Sequence, residues 1–166
     1  MPSRKKLFII RHAKSSWKDL ELSDFDRPLN GRGKKNAPMM GERLRDKNVV
    51  ADIIISSSAL RAKKTAKIIA KKVRYSKEII YDENIYASTG MLIHKIVKKI
   101  DDKNDSAFFI GHNSDLNMFA QEYVNFDENI VTCGIVEIEF DCKHWKDISK
   151  SNAKFISYDY PKKEQK

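Results

Sequence analysis

The sequence predicts a three-layer α/β sandwich built on a mostly parallel central sheet. Three observations carry this. Short apolar runs near residues 6–10, 52–55, 78–81, 106–110 and 135–140 alternate with longer stretches of helical spacing, which is the order of repeated strand and helix units. The chain has 166 residues, enough to build a core without disulfide or metal staples. No repeat, low-complexity tract or Gly/Ser linker divides it, so one domain over residues 1–166 is expected.

Taken in order, the first strand is the run "LFII" at Leu7–Ile10. The helix that follows, within "GKKNAPMMGERLRDK", is expected to be firm only from about Ala37, because Pro38 is tolerated in a first turn but not deeper. The next strand leads into "SALRAKKTAKIIAKKV" (58–73), where Ser58 is the expected N-cap. Leu60, Thr65, Ile68, Ile69 and Val73 share one face there, with lysines opposite. After the run at 78–81, "TGMLIHKIVKKI" (89–100) repeats the amphipathic logic with Met91, Leu92, Ile96, Val97 and Ile100. The run at 106–110 precedes a helix over 114–124 that starts from Ser114. Beyond the run at 135–140, "AKFISY" (153–158) adds an edge strand, and Lys162–Lys166 reads as a polar tail.

Composition narrows the partners. Thirty-two Lys and Arg against 23 Asp and Glu give a net charge of +9, which favours an anionic ligand without naming it. Aromatic residues do not interleave with the lysines as on a single-strand platform, so no nucleic acid is expected. Neither is a membrane, because no run of about 18 apolar residues exists. The basic N-terminus leads into only four apolar residues, too short for a signal-peptide core, and the expected location is the cytosol. Cys133 and Cys142 are eight residues apart and match no Cys-x-x-Cys spacing; they read as reduced thiols without a role.

In an open parallel sheet, ligands bind outside the carboxyl ends of the strands. The first run ends in Arg11-His12, the second leads through Ser56-Ser57-Ser58 to Arg61 at a helix start, and the fourth ends in Gly111-His112-Asn113. Strand counting therefore places two arginines and two histidines at one edge. A cation in the first turn of a helix opposes the macrodipole, a conflict that a bound anion resolves. Phosphate fits best, since helix N–H groups and planar guanidinium forks both match its oxygens. Neighbouring cations should lower the pKa of His12 from about 6.5 and leave a neutral, nucleophilic imidazole. His94 and His144 lack this setting and read as structural. Two adjacent arginines and the want of a third ligand argue against zinc between His12 and His112, so no metal is expected.

The segments "RHAKSSW", "LSDFDRPLNGRG" (22–33), "SSALRAKKTA" (57–66), "GHN" (111–113) and "YDYPKK" (158–163) together resemble the histidine phosphatase superfamily, with its phosphoglycerate mutase-like fold. More narrowly they resemble the SixA-type phosphohistidine phosphatases. Ala13 stands where many relatives carry Gly. The resemblance implies a nucleophilic His12 and a phosphate pocket of Arg11, Arg61 and His112, with no cofactor. In larger relatives a Glu after the third strand is the proton donor, and Glu83 in "YDENIYA" occupies a similar place. Only about 30 residues separate that strand from "GHN", so no large lid is expected. The implied activity is removal of phosphate from phosphohistidine in a signalling protein through a phosphohistidine enzyme intermediate. Two alternatives are a phosphomonoesterase acting on small phosphate esters and a non-catalytic phosphate or nucleic-acid binding module.

Overall fold

The computed structural model describes residues 4–87 and 91–165. Among these, the strands are β1 (Lys5–Arg11), β2 (Ile53–Ser57), β3 (Ile80–Asp82), β4 (Ser106–Gly111), β5 (Ile135–Phe140) and β6 (Ala153–Asp159). They form one sheet in the order β3-β2-β4-β1-β5-β6. The first four pair in parallel, while β5 and β6 are antiparallel additions beside β1. The sheet is thus mostly parallel as expected, and the run at 153–158 is its edge strand.

The helices are α1 (Gly31–Asp46), α2 (Leu60–Lys72), α3 (Glu83–Tyr86), α4 (Met91–Lys98) and α5 (Asp115–Val124). Alternation along the strands divides the core in two. Phe8, Ile10, Ile54, Phe108 and Ile110 pack with Ala37, Met40 and Leu44 of α1 and Ala62, Ala66 and Ile69 of α2. Leu7, Ile9, Ile55 and Phe109 face the other way, toward Ile85 of α3, Ile93 and Val97 of α4, and Leu116 and Phe119 of α5. Both faces of the central strands are covered, which is why "LFII" is continuously apolar. Fully burying an Ile, Leu or Phe contributes about 1.5–3 kcal/mol, so these two layers dominate the stability of the sheet.

Several boundaries differ from the sequence reading, each for a local reason. Helix α1 starts at Gly31, not near Ala37, because the Asn30 side chain accepts the Gly33 N–H at 2.9 Å and caps it. Pro38 therefore lies inside the helix. Gly33 cannot be replaced cheaply, since any Cβ there would run into the carbonyl of Lys14. Helix α2 has Ala59, not Ser58, at its N-cap; the Ser57 hydroxyl instead accepts the Ala59 N–H at 3.1 Å. Ser114 does hold the N-cap position of α5, but its side chain makes no capping bond. The Asn113 side chain does, accepting the Asn117 N–H at 3.0 Å. The first part of the expected helix over 89–100, at 89–90, lies outside the described residues. No helix among the described residues is long and apolar enough to cross a membrane.

Register decides what the top of the sheet can hold. Arg11 is paired with Gly111 across the parallel β1/β4 ladder. The next residues, His12 and His112, therefore leave adjacent strands at one edge, and the His12 N–H still donates to the Gly111 carbonyl at 3.1 Å.

Candidate active site

A cavity of about 570 Å³ opens at this edge, lined by Arg11, His12, Lys14, Ser15, Trp17, Asp24, Arg27, Arg61, Tyr86, His112, Asn113 and Thr132. Strand β1 supplies Arg11 and, with the loop after it, His12; the first turn of α2 supplies Arg61; the loop after β4 supplies His112. The two imidazole centroids stand 5.1 Å apart. A larger groove of about 950 Å³ adjoins at Arg11 and Asn113, but its lining contains neither histidine.

His12 is held in one tautomer. Its Nδ1 lies 2.8 Å from the Ala13 carbonyl, an acceptor only, so Nδ1 carries the hydrogen and Nε2 keeps its lone pair. The Ala13 N–H in turn donates to the Thr65 hydroxyl at 2.9 Å, and that hydroxyl donates to the Arg61 carbonyl at 2.8 Å. The nucleophile candidate and the arginine are thus fixed by one chain of bonds. Burial, followed by the nearby His112, Arg61 and Arg11, outweighs the Ala13 bond and holds the pKa of His12 at about 3. The ring is neutral at pH 7. His112 is likewise held at about 4, first by burial and then by Arg61. Its Nε2 is 2.8 Å from the Ser57 hydroxyl. When that hydroxyl donates, the hydrogen of His112 sits on Nδ1, available to an acceptor.

The arginines are organised around a carboxylate. Arg61 donates through Nη1 to the Asp24 carbonyl at 2.6 Å and through Nη2 to Asp24 Oδ2 at 3.0 Å. Arg27 donates from Nε to Asp24 Oδ1 at 3.0 Å, and Tyr86 Oη donates to Asp24 Oδ2 at 2.7 Å. Although burial pushes Asp24 up, the hydrogen bonds from Tyr86 and Arg61 bring it down to about 2, so it is an ionised anchor at neutral pH and not a proton donor. On the opposite side, Arg11 donates from Nη1 to the Ile130 carbonyl at 2.9 Å. After all these bonds, Arg11 Nε, Arg27 Nη1 and Arg61 Nε remain buried without a partner among the described residues. Buried donors are almost always paired. All three belong to arginines that line the cavity, so an anion bound there would meet a cluster of guanidinium groups.

Of the residues singled out in the sequence, Arg11, His12, Arg61 and His112 are brought together. Glu83 is not: it is exposed at the start of α3 and absent from the cavity lining. Asp24, Arg27, Trp17 and Tyr86 had not been singled out, although all four lie within the quoted segments. Arg27 is buried, with its guanidinium carbon 3.4 Å from the centroid of the Trp17 ring. The sequence signal for it was an arginine three residues after an aspartate in a loop leaving the first strand. Cys133 is buried, which pushes its thiol up to about 12 and makes it inert. Among the described residues no group of three or more His, Cys, Asp or Glu is placed to hold a metal ion.

Comparison with known proteins agrees with this geometry. Residues 7–87 match the histidine phosphatase superfamily (branch 1). An uncharacterized protein of Mycobacterium tuberculosis is 25% identical over 166 residues, covering 92% of this chain and all of that one. A SixA structure from Nakamurella multipartitia superposes with a TM-score of 0.83 at 19% identity, covering 97% of this chain and 98% of that one. The protein histidine phosphatase SixA complexed with tungstate superposes with a TM-score of 0.79 at 18% identity over 94% and 97% of the two chains. The segment that matches the histidine phosphatase superfamily thus carries Arg11, His12 and Arg61, and the chain as a whole has the fold of the SixA structures.

Proposed function

We propose that this protein is a metal-independent phosphatase that removes phosphate from phosphohistidine in a protein, by way of a phosphohistidine intermediate on His12. The observation that carries the reading is the neutral His12, its Nδ1 committed to the Ala13 carbonyl, beside three buried arginine N–H groups that lack an acceptor. The relative solved with tungstate, another oxyanion, supports an oxyanion as the missing acceptor.

The cycle has two displacements. His12 Nε2 attacks phosphorus in line, the bond from phosphorus to the substrate nitrogen breaks, and the substrate ring, already protonated on its other nitrogen, takes the electron pair and leaves as neutral imidazole. Arg11, Arg27, Arg61 and His112 hold the equatorial oxygens through a loose transition state. Nδ1 of His12 keeps its hydrogen, so the positive ring that forms is stabilised by the Ala13 carbonyl. Water then attacks the phosphoryl group, phosphate departs, and His12 returns to its neutral form. An imidazole leaving group needs less protonation than an alkoxide, which fits a pocket whose one lining carboxylate, Asp24, is held ionised.

A substrate panel tests this. Free phosphohistidine, a histidine-phosphorylated protein, nitrophenyl phosphate and several sugar phosphates are compared with wild type and His12→Ala. The phosphohistidine substrates should show the highest kcat/KM, and the variant should turn over none. Preference for a sugar phosphate would assign the protein as a small-molecule phosphomonoesterase, and undiminished activity in folded His12→Ala would refute the mechanism.

A further inference from the structure

Resting on that reading, we propose that the loop between β1 and α1 is the docking element for the protein that carries the phosphohistidine, with Leu20 and Leu22 as its contact residues. The base of the loop is fixed. The Ser16 N–H donates to the Pro28 carbonyl at 2.8 Å, the Asn30 N–H donates to the Lys14 carbonyl at 3.0 Å, and Ser15 bridges to Leu29. Above the base the chain makes a turn closed on itself. The Leu22 N–H returns to the Asp19 carbonyl at 3.4 Å and the Glu21 N–H to the Asp19 side chain at 3.0 Å.

That turn carries apolar side chains into water. Trp17 is 67% exposed, Leu20 86% and Leu22 39%. Among the described residues nine large apolar side chains are exposed, and three of them fall within these six positions. Scattered exposed leucines are ordinary, but a cluster beside a binding cavity marks an interaction surface. Trp17 joins the two regions: it lines the phosphate cavity, where one face is covered by Arg27, and it begins the exposed run. Aromatic and arginine side chains fixed in this way are the usual anchors of a protein interface.

Continuity with the cavity identifies the occupant. A small phosphate ester fits inside about 570 Å³ and leaves Leu20 in water. A phosphohistidine on a protein surface brings its flanking residues against the loop, and apolar ones would cover Leu20 and Leu22. The flanking charges, Lys18 against Asp19 and Glu21, lean acidic, which disfavours an anionic bilayer as the partner.

The test is a double variant, Leu20→Ser with Leu22→Ser, neither residue being in the cavity lining. Its substrates are a histidine-phosphotransfer domain phosphorylated with phosphoramidate, free phosphohistidine and nitrophenyl phosphate. The inference expects kcat/KM on the protein to fall by about tenfold or more, with both small substrates unchanged. An equal fall on all three, or no fall on the protein, overturns it. So does a wild type that hydrolyses free phosphohistidine as efficiently as the protein, or cosedimentation with anionic vesicles that is lost in the double variant. Failure of the functional reading shows separately, as wild-type enzyme active on nitrophenyl phosphate but on neither phosphohistidine.

Discussion

Strand β1 has cations at both ends, and the fold treats them in opposite ways. At its start Lys5, 1% exposed, donates to the Asp102 carbonyl at 2.7 Å, the Asn104 carbonyl at 3.3 Å and Asp105 Oδ1 at 2.9 Å. An ammonium has three hydrogens, and all three are used. At its other end Arg11, joined by Arg27 and Arg61, leaves one buried nitrogen per guanidinium without a partner. A buried unsatisfied donor costs about 1–3 kcal/mol. A cation whose donors are all satisfied within the fold is holding structure; the arginines at the other end keep donors unpaired at that cost while lining a cavity. The contrast teaches that the hydrogen-bond balance, and not burial or charge alone, separates a structural cation from a functional one.

The comparison breaks most visibly at Arg61. Arg61→Ala should lower kcat/KM by about 10²-fold or more, the scale for removing one transition-state donor. Arg61→Lys should lose less, because an ammonium keeps the charge without the fork. The melting temperature should move little in either, since Asp24 keeps Arg27 and Tyr86 as partners. A large fall in melting temperature with activity preserved would reverse the assignment.

Lys5→Met should do the opposite. Orphaning the Asp102 carbonyl, while that of Asn104 keeps the Trp145 indole N–H at 2.7 Å, should cost about 1–3 kcal/mol in a denaturant titration, while kcat/KM of the folded enzyme stays at the wild-type value. Lost activity without lost stability would mean that the two ends are not separable.

Acid sharpens the contrast, because the site end holds buried neutral histidines. His12 and His112 titrate near 3 and 4 in the folded protein, against about 6.5 when unfolded. Between about pH 6.5 and those lower values the unfolded chain binds more protons, so stability is greatest above pH 6.5 and falls as the pH drops toward 4. Unfolding measured from pH 7 to pH 4 should show this slope, flattened in a double variant lacking both histidines. An equal slope in that variant would place the acid sensitivity elsewhere.

The smallest effect is expected at Glu83. Exposed and outside the cavity lining, it should tolerate Glu83→Gln with less than about a twofold change on every substrate, as surface positions do. A loss confined to alkyl phosphates would restore it as the proton donor of a poor leaving group.

How much of this was legible follows from the range of the contacts. The central strands were readable because burial on both faces leaves an unbroken apolar run, and Arg11, His12, Arg61 and His112 were readable because adjacent parallel strands end together. Glu83 lies outside the cavity lining because it follows the edge strand β3, which the order β3-β2-β4-β1 separates from β1 by two strands. Asp24, Arg27 and Trp17 come from a loop whose path is set by long-range bonds such as that from the Ser16 N–H to the Pro28 carbonyl, which no local pattern announces. The cap of α2 failed for a related reason. Ser57, one residue earlier than expected, is held in place by both the helix start and His112.

The central claim is that His12 takes the phosphoryl group on Nε2. Mixing enzyme with a histidine-phosphorylated protein, quenching in alkali within a turnover and mapping the phosphate by mass spectrometry and ³¹P NMR tests it directly. The account predicts an alkali-stable, acid-labile phosphate on His12, attached at Nε2 because Nδ1 is committed to the Ala13 carbonyl. Phosphate on Ser15 or Asp24, attachment at Nδ1, or turnover with no phosphoenzyme at any quench time would contradict it.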